Sequence, residues 1–248
     1  MTFGAVAPRL AVTLSFIVPA HNEERELPET LGAIRSAADA VGEPYEIVVV
    51  NDDSTDRTAA IAHAFGARVI DVRLRQIAAV RNAGACAARG DIFFFVDADT
   101  HITPWHVQEA LAALITGDAG GGARLQFHGA VPLFSRLFLQ AFAMVYFGSN
   151  LGAGAFLFTR RESFEAIGGF DERFFAGEEM YFSRALKTRG RFTLLRRPAL
   201  TSGRKFRLHA PGFLVRQFLA LAFGGEGVLT AREKLAFWYE GKREGSTP

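Results

Sequence analysis

Asp97 and Asp99 stand one residue apart, directly after the apolar run Ile92-Phe93-Phe94-Phe95-Val96 and before Thr100. Two carboxylates at this spacing offer oxygen ligands to a hard cation such as Mg2+ or Mn2+, which would bridge to substrate phosphates. With no cation or hydrogen-bonded polyol between them, each would raise the pKa of the other. If the chain stays extended here, the period-two geometry of a strand sends both side chains to the same side. The plainer alternative is a pair of loop acids capping the next helix. A second acidic pair, Glu178 and Glu179, opens a helical segment that ends with Lys187 and Arg189 before Gly190. Such carboxylates can accept a proton as a general base or simply complement the helix dipole. Basic residues cluster at Arg73 and Arg75, at Arg196 and Arg197, and at Arg204, Lys205 and Arg207, facing either phosphates or solvent.

Positioning these groups requires a sheet. Five β-branched or aromatic residues before Asp97 read as a strand buried on both faces, as in the middle of a parallel sheet, and ligands collect at the carboxyl ends of such strands. Upstream, Leu14–Val18 predicts a strand ended by Pro19, then a helix to about Ala40 capped by Asn22. A strand at Glu46–Val50 closes on the polar cluster Asn51–Asp56, followed by a helix to about Phe65 with Gly66 at its end. A short strand near Val69–Val72 and a helix over Gln76–Ala88 complete the alternation, which predicts a parallel sheet with helices on both faces. Beyond Thr100, Thr103 and Pro104 start a helix to about Ile115. The run Gly120-Gly121-Gly122 reads as a flexible turn, Arg124–Phe127 as an edge strand, and the Phe-rich stretch to Phe147 as a helix. Gly152–Phe158 reads as a strand whose small residues let something bulky approach. Helices over Arg161–Ile167 and Glu178–Lys187, a strand at Phe192–Leu195 and a helix over about Ala231–Tyr239 complete the reading.

The chain of 248 residues is 49% hydrophobic and 22% charged, the composition of a globular protein, and one domain over residues 1–248 is expected. A net charge of +2 is too mild to argue for nucleic acid. Cys86 is the one cysteine, which excludes disulfides within the chain and suits a reducing, cytoplasmic setting. No basic cluster precedes an apolar run at the N-terminus, so no signal peptide is expected. Many of the 24 phenylalanines gather in Leu133–Phe147 and Phe213–Phe223. Each stretch is interrupted, by Arg136 and Gln140 or by Arg216 and Gln217, and falls short of the ~20 apolar residues of a spanning helix. Core helices are the first expectation and a helix lying on a membrane surface the second.

Six blocks in order carry a resemblance: Phe16-Ile17-Val18-Pro19-Ala20-His21-Asn22-Glu23-Glu24, Val49 to Asp56, Arg81-Asn82-Ala83-Gly84, Asp97-Ala98-Asp99, Gly168-Gly169-Phe170-Asp171-Glu172 and Gly177-Glu178-Glu179. Over most of residues 14–190 the chain resembles family 2 glycosyltransferases. The resemblance implies an α/β GT-A fold, a single Rossmann-like domain with a mostly parallel central sheet flanked by helices. It also implies a nucleotide-diphosphate sugar donor, a divalent metal (Mn2+ or Mg2+) and inversion at the anomeric carbon. Residues of about 14–100 would then form the donor half, about 101–210 the acceptor and catalytic half, and 211–248 a helical tail. By position, Pro19, Ala20, Asn22 and Glu23 look like the loop under the nucleoside and Asp52 like the acid that reads the base. The family's usual two aspartates and a glycine are here Asn51, Asp52 and Asp53. Arg81 is similar to the family's basic residue near the donor, Asp97 to the residue touching ribose or sugar, and Asp99 to the metal ligand, with Asp97 and His209 as further candidate ligands. Glu179 stands where the family's catalytic aspartate does, after Glu178, and is expected to be ionised at neutral pH.

The Gln-x-x-Arg-Trp block of processive members is absent, and Ser202-Gly203-Arg204-Lys205-Phe206 occupies its region, which favours transfer of one sugar. A lipid-linked acceptor and a peripheral contact at the inner face of a membrane are the further expectations drawn from the Phe-rich stretches. Two rivals are a haloacid-dehalogenase-type phosphatase with Asp97 as nucleophile and an idle nucleotide-sugar-binding module. A Rossmann dehydrogenase or a sugar nucleotidyltransferase would need a glycine-rich loop after the first strand, and Val18-Pro19-Ala20-His21-Asn22 is not one.

Overall fold

A computed structural model describes residues 12–128, 144, 146–204 and 226–231. In chain order these form β1 (Leu14–Ala20), α1 (Leu27–Val41), β2 (Tyr45–Asp52), α2 (Thr58–Ala64), β3 (Arg68–Val72), α3 (Ile77–Ala87), β4 (Ile92–Val96), β5 (Thr100–His101), α4 (Pro104–Ile115), β6 (Gly120–His128), β7 (Phe156–Arg160), α5 (Arg161–Ala166), α6 (Glu178–Lys187), β8 (Phe192–Ser202) and α7 (Glu226–Leu229). The strands make one sheet in the order β3-β2-β1-β4-β7-β6-β8-β5. β1 runs parallel to β2 and β4, β2 to β3, and β6 to β8. Only β7 and β5 run against their neighbours. The sheet is therefore mostly parallel, as the strand–helix alternation predicts.

Alternation along the buried strands divides the core between the two faces of the sheet. Phe16, Val18 and Phe94 pack with Leu31 and Ile34 of α1 and Val107 and Leu114 of α4. Ile17, Phe93 and Phe95 pack with Val80 and Ala85 of α3, Phe164 of α5 and Phe182 and Leu186 of α6. Phenylalanine does much of this filling: Phe170 stacks on Phe182 with ring centroids 4.1 Å apart, and Phe95 meets Phe170 edge-on at 5.0 Å. Burying each such ring contributes about 1.5–3 kcal/mol.

Several sequence expectations are corrected by the register. Pro19 lies inside β1, which continues to Ala20 opposite Asn51 of β2. The β4 side of the ladder stops at Ile17↔Phe95, so the proline falls where β1 has an unpaired edge and its missing N–H costs nothing. The glycine run Gly120–Gly122 is strand rather than turn. A Cβ on Gly121 would stand 2.2 Å from the Thr193 carbonyl oxygen and 2.3 Å from Phe158 Cζ, so the run exists to let β7 and β8 close in. β6 is accordingly an inner strand, between β7 and β8, and not an edge. The Phe-rich stretch before residue 144, the stretch Phe213–Phe223 and all but the first residue of the expected helix Ala231–Tyr239 lie outside the described residues. Among the described residues no helix is long and apolar enough to cross a membrane.

Candidate active site

Arg81 of α3 is the hub of the carboxyl edge of the sheet. Only 2% of its surface is exposed. Its Nη1 donates to Glu178 Oε1 at 2.6 Å, and its Nη2 donates to Asp97 Oδ1 at 2.9 Å and to the Gly154 carbonyl at 3.0 Å. The guanidinium also lies over the Phe170 ring, 5.3 Å from its centroid. Burial alone would weaken the hold of this arginine on its proton, but Asp97 and Glu178 outweigh it and raise the pKa further. Gly154 has no side chain because a Cβ there would come 2.8 Å from Arg81 Nη2, so the bulky group that the small residues admit is this guanidinium.

The rest of the Arg81-Asn82-Ala83-Gly84 block builds the frame. Asn82 Oδ1 accepts from the Phe170 N–H at 2.9 Å while its Nδ2 donates to the Phe170 carbonyl at 2.9 Å and to Glu172 at 2.8 Å, stitching the Gly168–Glu172 block onto α3. Gly84 lets α3 lie against β1, since a Cβ would sit 2.4 Å from Ile17 Cγ2. Gly168, Gly169 and Gly177 adopt left-handed φ values of 78°, 76° and 72°, and the last of them turns the chain into α6. Leu229 of α7 packs on Phe174 and Ala176 and accepts the Phe175 N–H at 2.8 Å, holding this entry loop in place.

At the start of α6 the two glutamates have different surroundings. Glu178 is buried and committed to Arg81. Glu179 is half-buried. Burial first, and then the Glu178 charge, push its carboxyl up to about 8, with Arg81 only partly opposing. This upward push runs against the expectation of an ionised Glu179 at neutral pH, because burial and the Glu178 charge both disfavour its charged form. Tyr146, which the sequence does not single out, places its hydroxyl 3.4 Å from Glu179 Oε1 and 3.0 Å from the Gly152 carbonyl.

Asp97 and Asp99 diverge. The chain turns after β4, with the Thr100 N–H donating to the Asp97 carbonyl at 3.0 Å, so the extended run that would align the two carboxylates is absent. Asp97 faces Arg81. Asp99 instead faces the end of β8, accepting from Thr201 Oγ1 at 3.3 Å through Oδ1 and from the Ser202 N–H at 3.2 Å through its carbonyl. Arg204 follows and grips Glu23 with Nη2 at 3.0 and 3.1 Å from the two carboxylate oxygens. Burial opposes the charge of Arg204, yet Glu23 and the nearby Asp99 raise its pKa. The sequence leaves Arg204 as a phosphate- or solvent-facing residue; the structure turns it inward. Among the described residues no group of three or more His, Cys, Asp or Glu could enclose a metal, and His209 lies outside them. One or two carboxylates nevertheless fit Mg2+ or Mn2+, which take few protein ligands and complete their shell with phosphate oxygens and water.

A third cluster lies over the ends of β1, β2 and β3. Asp52 accepts from the Leu74 N–H at 2.8 Å through Oδ1 and from the Arg75 N–H at 2.9 Å through Oδ2. His21 Nδ1 is 2.6 Å from the Asp52 carbonyl, so the ring carries its proton there, and Nε2 accepts from Arg75 Nη1 and from Asn22 Nδ2. Asn22 does not cap α1, whose first turn is preceded by Glu26. With φ 52° it binds across the loop, its N–H donating to Ser54 Oγ at 3.0 Å and its Oδ1 accepting from the Thr55 N–H at 2.7 Å. Pro19 and Ala20 floor this cluster, paired with Val50 and Asn51.

Residues 15–168 match the sequence model described as Glycosyl transferase family 2. The chain belongs to this family. Over 119 residues it is 34% identical to the undecaprenyl-phosphate 4-deoxy-4-formamido-L-arabinose transferase of Shewanella sediminis, covering 45% of this chain and 36% of that protein. Over 108 residues it is 35% identical to the 4,4'-diaponeurosporenoate glycosyltransferase of Staphylococcus haemolyticus, covering 40% of this chain and 27% of that one. The aligned part is thus roughly a third of the first relative's length and a quarter of the second's. Among solved structures, the mannosyltransferase PcManGT from Pyrobaculum calidifontis with GDP-Man and Mn2+ superposes at a TM-score of 0.62 and 19% identity, over 82% of this chain and 59% of that one. S. aureus TarS with UDP-GlcNAc gives 0.61 at 18%, over 94% and 74%. These two likenesses show the fold, the GT-A arrangement of family 2 glycosyltransferases. Family membership removes the phosphatase reading of Asp97 and Asp99.

Proposed function

We propose that this family 2 glycosyltransferase moves a single sugar from a nucleotide-diphosphate sugar to an acceptor oxygen, with inversion. The observation that carries the reading is the Arg81 hub, which ties the Asp97 loop, the Gly154 backbone and the Glu178-Glu179 helix start together at the carboxyl edge of the parallel strands. The neighbouring structures with GDP-Man and UDP-GlcNAc support the donor class.

The nucleoside lies over Pro19, Ala20, Asn22, Glu23 and Asp52, in a donor half of about residues 14–100, and the acceptor enters the half of about 101–210. Arg81 fixes Asp97 toward the ribose or sugar. Asp99 is the metal ligand, with Asp97 and His209 as further candidates; a bound Mn2+ or Mg2+ supplies charge stabilisation to the leaving diphosphate. Glu178, locked to Arg81, positions the helix start. Glu179, once ionised, takes the proton of the acceptor hydroxyl as its oxygen bonds to the anomeric carbon and the bond to phosphate breaks, its electron pair leaving with the diphosphate.

A second reading follows from the burial and the Glu178 charge that disfavour an ionised Glu179. One relative is named for undecaprenyl phosphate, and a phosphate acceptor attacks as an anion with no proton to lose. Such a lipid-linked acceptor would place the enzyme in the cytoplasm at the inner face of a membrane.

The test is a thermal-shift panel of UDP, GDP, CDP and dTDP sugars with and without Mn2+, run on wild type, Asp99→Ala and Glu179→Gln. Stabilisation by one nucleotide class is expected, growing with ligand excess, lost with its metal dependence in Asp99→Ala and kept in Glu179→Gln. Transfer by Glu179→Gln then separates the acceptors: abolished with a hydroxyl acceptor, largely retained with undecaprenyl phosphate. An idle binding module would show binding and no transfer by the wild type to either.

A further inference from the structure

We propose that Tyr146 is a positioning residue for the general base, orienting the Glu179 carboxylate through its Oε1. This rests on the reading of Glu179 as base. The phenolic hydroxyl has a single proton, and its acceptors in reach include the Gly152 carbonyl at 3.0 Å and Glu179 Oε1 at 3.4 Å. When Glu179 holds a proton, the hydroxyl donates to Gly152 and its oxygen can accept from the carboxyl. When Glu179 is ionised, rotation of the O–H directs the proton to Oε1. Both states of the base therefore have a partner, and the change between them needs only a hydroxyl rotation. In either state Oε1 has Tyr146 as a partner, the arrangement in which a base is itself oriented by a third group.

The far side of this contact is rigid. The Gly152 N–H donates to Ser183 Oγ at 3.1 Å, and Ser183 sits one turn along α6 from Glu179, on the same helix face. A Cβ at Gly152 would lie 2.5 Å from Leu157 Cδ2, so the backbone is wedged where Tyr146 meets it. Two residues on, the Gly154 carbonyl receives Arg81. One short segment thus fixes both the hub arginine and the tyrosine. Burial, followed by the Glu179 and Glu178 charges, holds the Tyr146 proton firmly, with Arg184 in weak opposition, so the hydroxyl stays a donor. Among the described residues, the charged groups acting on Glu179 include Glu178, Arg81 and Asp97.

The test follows the Glu179 carboxyl by infrared difference titration, wild type minus Glu179→Gln, repeated in a Tyr146→Phe background. Loss of a donor to the charged form is expected to raise the Glu179 midpoint by about one pH unit, since hydrogen bonds to ionised groups outweigh neutral ones. An unchanged midpoint overturns the proposal. Should Tyr146→Phe fail to fold, wild-type protein carrying 13Cζ-tyrosine gives the same decision. One of its four tyrosine resonances should titrate with the Glu179 midpoint and stop doing so in Glu179→Gln; if none does, the proposal falls. The base assignment is judged separately, by nucleoside diphosphate release from UDP-GlcNAc or GDP-mannose with Mn2+. Full turnover by Glu179→Gln overturns that assignment, whereas the role of Tyr146 stands or falls on the titration.

Discussion

Arg81 Nη1 and Glu178 Oε1 are 2.6 Å apart although 97 positions separate them in the chain, and both side chains are almost wholly buried. Removing one partner of such a pair leaves a buried charge without compensation, at a cost of about 3–5 kcal/mol. Arg81→Ala, which strands both Glu178 and Asp97, should sit at the upper end. Glu178→Gln keeps the shape and an acceptor oxygen for Nη1 and should cost less. Urea unfolding of both variants and their double mutant checks this; additive losses would show that the pair is not coupled.

Glu179 predicts a pH dependence with a definite sign. Its carboxyl is held up to about 8 in the folded chain, against about 4.3 for a free glutamate. Below the lower value both states are protonated and nothing changes. Between the two, the unfolded chain has released a proton that the folded chain retains, so stability falls as pH rises, and it levels off above about 8. Each pH unit of that interval is worth about 1.4 kcal/mol for a fully shielded group, and the solvent contact of Glu179 reduces it. Glu179→Gln should therefore stabilise the protein by about 2 kcal/mol more at pH 9 than at pH 4, read from denaturation midpoints. An equal effect at both values would place the charge penalty elsewhere.

Two glycines predict opposite outcomes. Alanine at Gly121 would press on the Thr193 carbonyl and the Phe158 ring in the middle of the sheet, and overpacking of this kind costs about 1–3 kcal/mol. Gly32, inside α1, has nothing within 4 Å of an added Cβ. Gly32→Ala should stabilise by about 0.5–1 kcal/mol, the ordinary helix advantage of alanine. Thermal midpoints of the two variants moving in the same direction would contradict the packing described.

How far the sequence is legible follows from how local each constraint is. β4 and its two aspartates read directly, because five buried residues and an abrupt polar end are a local signal. Gly177-Glu178-Glu179 reads as a helix start for the same reason. The Gly120–Gly122 run misleads because its cause is non-local: β7 and β8, distant in sequence, approach it from both sides. Pro19 misleads because where β4 stops pairing with β1 is a matter of register, which no single strand encodes. Tyr146 has no legible signal at all, one hydroxyl beside a phenylalanine-rich stretch. Arg204 is visible as a charge, but its inward turn onto Glu23 depends on where β8 ends.

Asp52 and Arg75 compete for the role of reading the nucleobase. Asp52 spends its carboxylate on the Leu74 and Arg75 amides, so its first role is to hold that loop. Arg75 has φ 50°, a left-handed conformation that costs a side-chain-bearing residue roughly 1 kcal/mol. Its guanidinium, bound to His21, lies over the same strand ends as the expected nucleoside loop. Arg75→Gly should relieve the backbone and raise the unfolding free energy by about 0.5–1 kcal/mol, while weakening discrimination among UDP, GDP and CDP. Calorimetric titration of the three nucleotides against wild type and Arg75→Gly measures both affinity and preference. Unaltered preference with raised stability would leave Arg75 a loop residue alone; altered preference would make the guanidinium, rather than Asp52, the group that distinguishes one base from another.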